Sequence, residues 1–489
     1  MSTLMLSVSG CRGVVGQTLT PEVVARFAGA YASFLRERMG QAPSVVLGRD
    51  GRAGSSMVHH AAIAGLLGAG AHVVDLGVAS TPTIAVMTDE MNRRQGGHCA
   101  GMVLTASHNP QAWNGLKCLL AEGGLHGSAA CAPSATLAAG IIERFKAANV
   151  EWQGWEGVGS VDRDESAIET HVDRVMRALE DAGMCALAGR LGEGFRVALD
   201  SVNGAGAAAG RMMLESLSVD EVMHMGAGDD GLFPHPPEPT RENLGGAGGL
   251  CDAVREGECD IGFAQDPDAD RLAIIDEQGR YIGEEYTLAL SAMALLEGMK
   301  AAGTPTKGLA LVTNLSTSRM IDDIAARFDA RVIRTPVGEA NVVEVMKREG
   351  SPLGGEGNGG TIWPRVTYVR DSLASMAMVL WLMSPLGGGR GERRRLSAIV
   401  GELPSYAIEK RKVDLRSKDQ ASGAVEAIAR AFAKEKVDRS DGVWVDFASR
   451  RSWLHVRASN TEPIMRLIAE APTSAQANAL LDEAAKVIG

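Results

Sequence analysis

The sequence predicts a multidomain α/β protein: three related α/β units with mostly parallel sheets, followed by a smaller α+β unit. Three observations carry this expectation. A chain of 489 residues is too long for one hydrophobic core, and about three or four domains are expected. Short apolar runs alternate with segments of helical periodicity, the pattern of a sheet covered by helices on both faces. Each of three units begins with a strand running into a polar loop, which hints at a repeat that residue identity alone does not demonstrate.

The first unit spans residues 1–158. Thr20-Pro21 caps a helix whose apolar residues Val24, Phe27, Ala28, Tyr31 and Leu35 recur at helical spacing. A strand at Val45-Val46-Leu47, a helix over 57–67, a strand at His72-Val73-Val74 and a strand at Gly101-Met102-Val103-Leu104 follow. The second unit, 159–282, begins with a polar helical connector over 165–180. Strands over 196–199 and 261–264 then each end in an acidic or polar loop. The third unit, 283–395, contains a strand over 309–312, a helix after Ser316 and a glycine-rich loop over 354–360. The Gly/Arg stretch 387–395 marks the next boundary. It reads as a solvated linker entering a helix, with a nucleic-acid patch as the alternative. In the last unit, 396–489, segments 443–447 and 453–456 flank a polar turn and predict an antiparallel hairpin. Helices over 424–433 and 475–487 surround it.

Composition narrows the function classes. Aromatic residues make up 4% of the chain, too few for a base-stacking surface, and the net charge of −11 disfavours broad polyanion binding. Neither excludes a small anion in a local basic pocket. Seven cysteines without CxxC spacing read as free thiols in a reducing cytoplasm. The N-terminal residues show no basic region followed by a long apolar stretch, and no run reaches the ~18 apolar residues of a membrane span. No signal peptide and no membrane association are therefore expected.

Four motifs carry chemistry. Thr105-Ala106-Ser107-His108-Asn109-Pro110 presents a serine at a strand end, where α/β folds place reacting groups. Asp266-Pro267-Asp268-Ala269-Asp270-Arg271 brings carboxylates at alternate positions to one side of a turn. Hard oxygen ligands at this density suit Mg²⁺, whereas an EF-hand would need Gly at its sixth position and Glu at its twelfth. A solvated acidic loop is the alternative. Gly354-Gly355-Glu356-Gly357-Asn358-Gly359-Gly360 lacks the Lys-Ser/Thr of a P-loop. Its carboxylate and amide suit sugar hydroxyls better than phosphate; an ordinary flexible turn is the alternative. Arg457-Ala458-Ser459-Asn460-Thr461-Glu462-Pro463, with Arg466 beyond it, reads as a dianion-binding nest, a helix-capping motif, or both. Weaker elements fit the same picture: Arg12 in a glycine-flanked turn, Arg49 and Arg52 at a strand end, and Lys117 after the serine loop, although a lone cation is usually solvated.

Together and in this order, the motifs resemble the α-D-phosphohexomutase family: phosphoglucomutase, phosphomannomutase and phosphoglucosamine mutase. The resemblance covers nearly the whole chain. It implies three similar mixed-sheet α/β domains around a central cleft plus a C-terminal α+β domain. It implies that Ser107 is the phosphorylated serine, that Ser107, Asp266, Asp268 and Asp270 hold Mg²⁺, and that Arg12 and Arg271 lie near the transferred phosphate. Glu356 and Asn358 would bind the sugar, and Arg457, Ser459, Asn460, Thr461 and Arg466 the remote phosphate. His108 and Lys117 match positions near the serine and are the candidate bases. A sugar 1,6-bisphosphate would be intermediate and activator, and the only partners expected are a small sugar phosphate and, at most, a second copy of the chain. Gly360 stands where many relatives have His, and Glu339 where some have His or Lys. Glu339 could bind an amino group or reshape the pocket. Among hexose phosphates the motif variants favour glucosamine phosphate, with mannose and glucose phosphates as the rival substrates. A metal-dependent phosphatase and a non-catalytic sugar-phosphate-binding protein are the rival functions.

Overall fold

The computed structural model describes residues 4–122, 129–184, 188–387, 391–414, 419–458 and 464–488. Four sheets organise the chain. Local sequence explains many of the element ends. The helix Pro21–Met39 begins where the Thr20 hydroxyl accepts the Val23 N–H and ends where Gly40 turns left-handed. The strand Cys99–Leu104 is buried along its whole length, as expected for a strand inside a two-faced sheet.

The first three sheets share one core topology. In the first, strand Ser44–Arg49 pairs in parallel with His72–Val78 on one side and Cys99–Leu104 on the other; Trp113–Ala121 then adds antiparallel to the latter. In the second, Arg196–Asp200 lies between Glu221–Met225 and Ile261–Gln265, both parallel, and Leu272–Asp276 returns antiparallel. In the third, Ala310–Asn314 lies between Arg331–Thr335 and Gly354–Glu356, and Gly360–Ile362 returns antiparallel. Each sheet is therefore mixed. Parallel pairing holds among the first three core strands of each unit, as expected, and the fourth core strand is antiparallel because the chain reverses before it through a short loop. The first sheet is extended by Gly10–Val14 and Met5–Ser7 at one edge and Val161–Arg163 at the other.

The fourth sheet is wholly antiparallel, in the order Ala407–Asp414, Ile464–Ala471, Ser452–Ala458, Val443–Phe447, Lys436–Asp438. It contains the expected hairpin, and helices Asp419–Ala431 and Ser474–Ile488 accompany it. Its core is separate from the others. The second and third units instead share one large core, through which runs helix Ser372–Met383 with every side chain buried.

Local expectations are met or sharpened. The polar connector is helical as expected, over Ala167–Asp181, and buries Val172, Val175 and Leu179 on one stripe. The glycine-rich loop is a tight β-hairpin rather than a flexible turn. Residues 391–395 are largely exposed and run into helix Leu396–Gly401, as expected of a solvated linker; within it Arg393 lies 4.0 Å from the Phe195 ring centroid and pairs with Asp260, and Arg394 pairs with Glu402. Among the described residues no helix is long and apolar enough to cross a membrane. The six described cysteines are free and buried.

Candidate active site

The same topological loop, between the third and fourth strands of each unit, supplies one motif apiece. These are the Ser107 loop, the Asp266–Asp270 loop and the turn at 357–359. Each turns through a left-handed residue: Ser107 at φ 50°, Ala269 at φ 52° and Gly359 at φ 85°. Brought together, the loops form one wall of a central cleft.

Ser107 is buried, and its hydroxyl donates to Asp266 Oδ2 at 2.9 Å. The loop that carries it is fixed from below. The Ser107 N–H donates to Thr105 Oγ1 at 2.8 Å, and Thr105 Oγ1 donates to Asp50 Oδ2 at 2.6 Å. Arg52 is also buried, pairs with Asp50, and donates to the carbonyls of Ser107 at 2.5 Å and Trp113 at 2.7 Å. It is not the surface group that its local sequence suggests. His108 Nδ1 lies 3.3 Å from Ser107 Oγ. Burial first, then the nearby Arg271 and Arg12, push the His108 imidazole down to about 3, so the ring is neutral at physiological pH.

Asp266, Asp268 and Asp270 are buried, and one oxygen of each lies within 4.8 Å of the others. Such a cluster is costly without counter-charge. Burial and the two neighbouring carboxylates raise Asp266 well above the usual range. Lys117 Nζ stands 2.5 Å from Asp268 Oδ2 and 3.3 Å from Asp270 Oδ2. Burial opposes its charge, but the two carboxylates outweigh burial and keep the ammonium protonated. The second oxygens, Asp268 Oδ1 and Asp270 Oδ1, are buried without a hydrogen-bond donor. Orphaned carboxylate oxygens facing one another are what a bound divalent cation satisfies, so the donor set fits a metal. From the first unit, Thr81 Oγ1 donates to Asp268 Oδ2 at 2.6 Å. Arg12 Nη1 donates to Asn109 Oδ1 at 3.1 Å, while Arg12 Nε and Arg271 Nε are buried without a hydrogen-bond acceptor, the latter 3.9 Å from Asp270 Oδ1. These are cationic donors left open toward an anion.

In the sugar loop, Glu356 Oε1 accepts from Asn314 Nδ2 at 2.8 Å and from the Gly338 N–H at 3.2 Å. Asn358 Oδ1 is buried and unpartnered. Across the cleft, Lys412, Arg466 and Arg457 occupy paired positions on three adjacent strands of the fourth sheet. Arg457 is tied to Asp441 at 2.9 Å. A cavity of about 750 Å³ has His108, Glu356 and Asn358 on one side and Lys412, Arg457 and Arg466 on the other. The expected site residues Ser107, His108, Lys117, Arg12, Arg271 and the three aspartates thus converge. Arg457 and Arg466 face them at a distance, and Ser459, Asn460 and Thr461 lie outside the described residues.

Sequence reasoning missed Thr81, Lys412 and Arg370. Arg370 bridges Asp270, Glu339 and Glu356. Its one local signal is its place, with Asp371, immediately before a largely apolar helix. Glu339 gives Oε2 to Arg370 at 2.7 Å, so one of its oxygens is already engaged.

Comparison with known proteins follows the same division. Residues 4–132, 177–279 and 284–406 match the phosphoglucomutase/phosphomannomutase alpha/beta/alpha domains I, II and III, and residues 411–487 match the C-terminal domain of that family. The chain is 33% identical to a phosphoglucomutase/phosphomannomutase of Thermococcus kodakarensis, over 98% of this chain and 97% of that one. It is 33% identical to a probable phosphoglucosamine mutase of Methanopyrus kandleri, over 98% of this chain and 96% of that one. A crystal structure of a phosphoglucomutase/phosphomannomutase family protein from Burkholderia thailandensis superposes with a TM-score of 0.78 at 24% identity, covering 99% and 98% of the two chains.

Proposed function

The chain belongs to the phosphoglucomutase/phosphomannomutase family, and we propose that it interconverts glucosamine 6-phosphate and glucosamine 1-phosphate through a phosphoserine at Ser107. As a member of that family it is a phosphohexomutase, an isomerase-type phosphotransferase. The observation that carries the mechanistic reading is the pairing of Ser107 and a carboxylate cluster on one wall with Lys412, Arg457 and Arg466 on the other. A bisphosphorylated sugar needs both ends held at once.

In this reading Asp266, Asp268, Asp270 and the Ser107 oxygen hold Mg²⁺, which supplies charge neutralisation at the transferred phosphoryl group. A sugar hydroxyl attacks the phosphorus of phosphorylated Ser107. The new sugar O–P bond forms as the Oγ–P bond breaks, and the hydroxyl proton is relayed by the neutral imidazole of His108, 3.3 Å from Ser107 Oγ, to the departing serine oxygen. The resulting 1,6-bisphosphate reorients, and its other phosphoryl group returns to Ser107. Arg12 and Arg271 steady the reacting phosphate. Arg457 and Arg466, joined by Lys412, hold the phosphate that is not reacting. Glu356 and Asn358 bind hydroxyls common to both orientations. Lys117 acts as a fixed cation beside the aspartates. A sugar 1,6-bisphosphate primes the serine.

Support for an amino sugar comes from Glu238 and Glu356, which line the cavity and can pair with a cationic 2-amino group. Several relatives are named probable phosphoglucosamine mutase. The free, buried cysteines agree with a cytoplasmic location.

The test is an assay of the purified protein with glucosamine, mannose and glucose 6-phosphates, primed with sugar bisphosphate. A tenfold or greater preference for mannose in kcat/KM, about 1.4 kcal/mol of transition-state binding, defeats the choice of sugar. Ser107→Ala is expected to abolish isomerisation while sugar-phosphate binding survives. Intact-protein mass spectrometry should find one phosphate on the Ser107 peptide, and full turnover by the variant would refute the phosphoserine scheme.

A further inference from the structure

Arg370 stands where the metal loop and the sugar loop meet. Nη2 donates to Asp270 Oδ2 at 2.6 Å, Nε to Glu339 Oε2 at 2.7 Å and Nη1 to Glu356 Oε2 at 3.3 Å. One buried guanidinium thus touches the second unit's acidic loop, the sugar-loop carboxylate and the start of helix Glu339–Glu349.

Its base is rigid. The Asp371 N–H donates to the Thr361 carbonyl at 2.9 Å. The Asp371 carboxylate caps the buried helix Ser372–Met383 and contacts His171 Nε2 at 3.0 Å. Its path is cleared by a second residue. A Cβ at Gly360 would fall 2.1 Å from Arg370 Cδ, closer than any side chain tolerates. Glycine at 360 and arginine at 370 therefore form one device.

We propose that Arg370 is a positioning residue that fixes the spacing between the Asp270 loop and the Glu356 loop, with Gly360 as its required clearance. The proposal rests on the phosphoryl-transfer reading above. The acidic loop sets where the phosphoryl group sits, and Glu356 sets where the accepting hydroxyl sits. An in-line transfer depends on both, and a displacement near 1 Å can cost roughly 10²-fold in rate. A lysine keeps the charge but lacks the planar fork that reaches three carboxylates.

The experiment compares the unchanged protein with Arg370→Lys, Gly360→Ala and Glu339→Gln. Gly360→Ala keeps every charge and crowds the arginine stem foremost, with Asn358 Oδ1 next at 3.2 Å, so it remains informative if Arg370 variants fold poorly. Both R370K and G360A are expected to lose about 10²-fold in kcat with KM changed by less than about threefold. E339Q retains an acceptor for Nε and should lose less than about fivefold. Calorimetric titration of glucosamine 6-phosphate into metal-free protein gives a readout independent of turnover, and R370K should keep Kd within about threefold. In Arg370→Ala, millimolar guanidinium ion should restore part of kcat, which a purely structural loss would not allow. A kcat loss below about tenfold in both R370K and G360A overturns the proposal. So does a loss carried by Kd and KM with kcat unchanged, which would make Arg370 a substrate contact. Absence of isomerisation in the unchanged protein would defeat the reaction reading instead, and is seen before any variant is compared.

Discussion

Ser107 holds φ at 50°, a left-handed conformation that costs a non-glycine residue about 1–2 kcal/mol. The conformation aims the hydroxyl at Asp266, and Arg52 offsets its cost by gripping the Ser107 and Trp113 carbonyls while pairing with Asp50. Arg52→Lys should keep the charge near Asp50 but lose the fork. Thermal unfolding should register a destabilisation of about 2–4 kcal/mol, because buried carbonyls lose their donor, and phosphate incorporation at Ser107 should fall at least about tenfold. An unchanged melting temperature together with full phosphorylation would remove Arg52 from this role. The serine was legible because its whole context, strand end, His, Asn and Pro, is contiguous. Arg52 and Arg370 were not, because their partners are remote. Arg52 meets Ser107 from 55 positions away, and Arg370 meets Asp270 from 100. No local pattern separates such an arginine from a solvated one.

At the level of elements, the three α/β units repeat in topology where they do not repeat in residues. The first strand of each core also supports the functional loop of its own unit or the ground beside it. Asp50 holds Thr105, the neighbouring Ser201 holds Gln265 just before the acidic loop, and Asn314 holds Glu356. Sequence reading found the first strand of each unit, and the third strand of the first two, readily as apolar runs; it read the third unit's Gly354–Glu356 as a glycine-rich loop. It missed returning strands such as Leu272–Asp276 and Gly360–Ile362, which are buried on both faces and so lack alternation. Helix Thr81–Gln95 shows how the units lock. Its first residue gives both a backbone N–H, to the Asp268 carbonyl at 2.9 Å, and a hydroxyl, to the Asp268 carboxylate. Thr81→Val keeps the shape and removes the hydroxyl. The expected result is a roughly tenfold loss of Mg²⁺ affinity by calorimetry, the usual scale for losing an orienting contact to a metal ligand. Affinity equal to that of the unchanged protein would mean that Asp268 needs no such support.

Across the whole molecule, the first three units form one platform and the fourth is attached to it differently. A buried chain from Thr83 through His171 to Asp371 ties the first unit to the third, and Ser372 Oγ donates to the Ala269 carbonyl at 2.8 Å between third and second. The fourth unit meets the third through polar contacts around a small apolar cluster of Leu315, Trp444 and Trp453. Arg319 pairs with Asp446 at 2.5 Å, Tyr406 donates to Asp323 at 2.6 Å and Ser316 donates to His455 at 2.8 Å. A unit held by polar contacts around so small an apolar cluster separates at lower cost than one joined through a shared core. Glu470 makes the attachment depend on pH. It is fully buried at this contact and accepts the Arg319 N–H at 2.9 Å; burial raises its carboxyl to about 7, against the opposing pull of Arg334. Burial also shifts His455 down, which disfavours its charged form, and raises Glu285, whose ionisation Glu284 and Glu470 further oppose. Because the folded state binds the Glu470 proton more tightly than an unfolded chain does, its contribution is complete below the ordinary glutamate range near 4.5 and is lost as pH rises through about 7. Between pH 5 and 8 the protein should therefore lose up to about 3 kcal/mol relative to Glu470→Gln, which cannot ionise. Urea unfolding of both proteins across that range measures the difference. Parallel stability curves would show that Glu470 stays ionised at the contact, and the fourth unit would then be held equally at every pH.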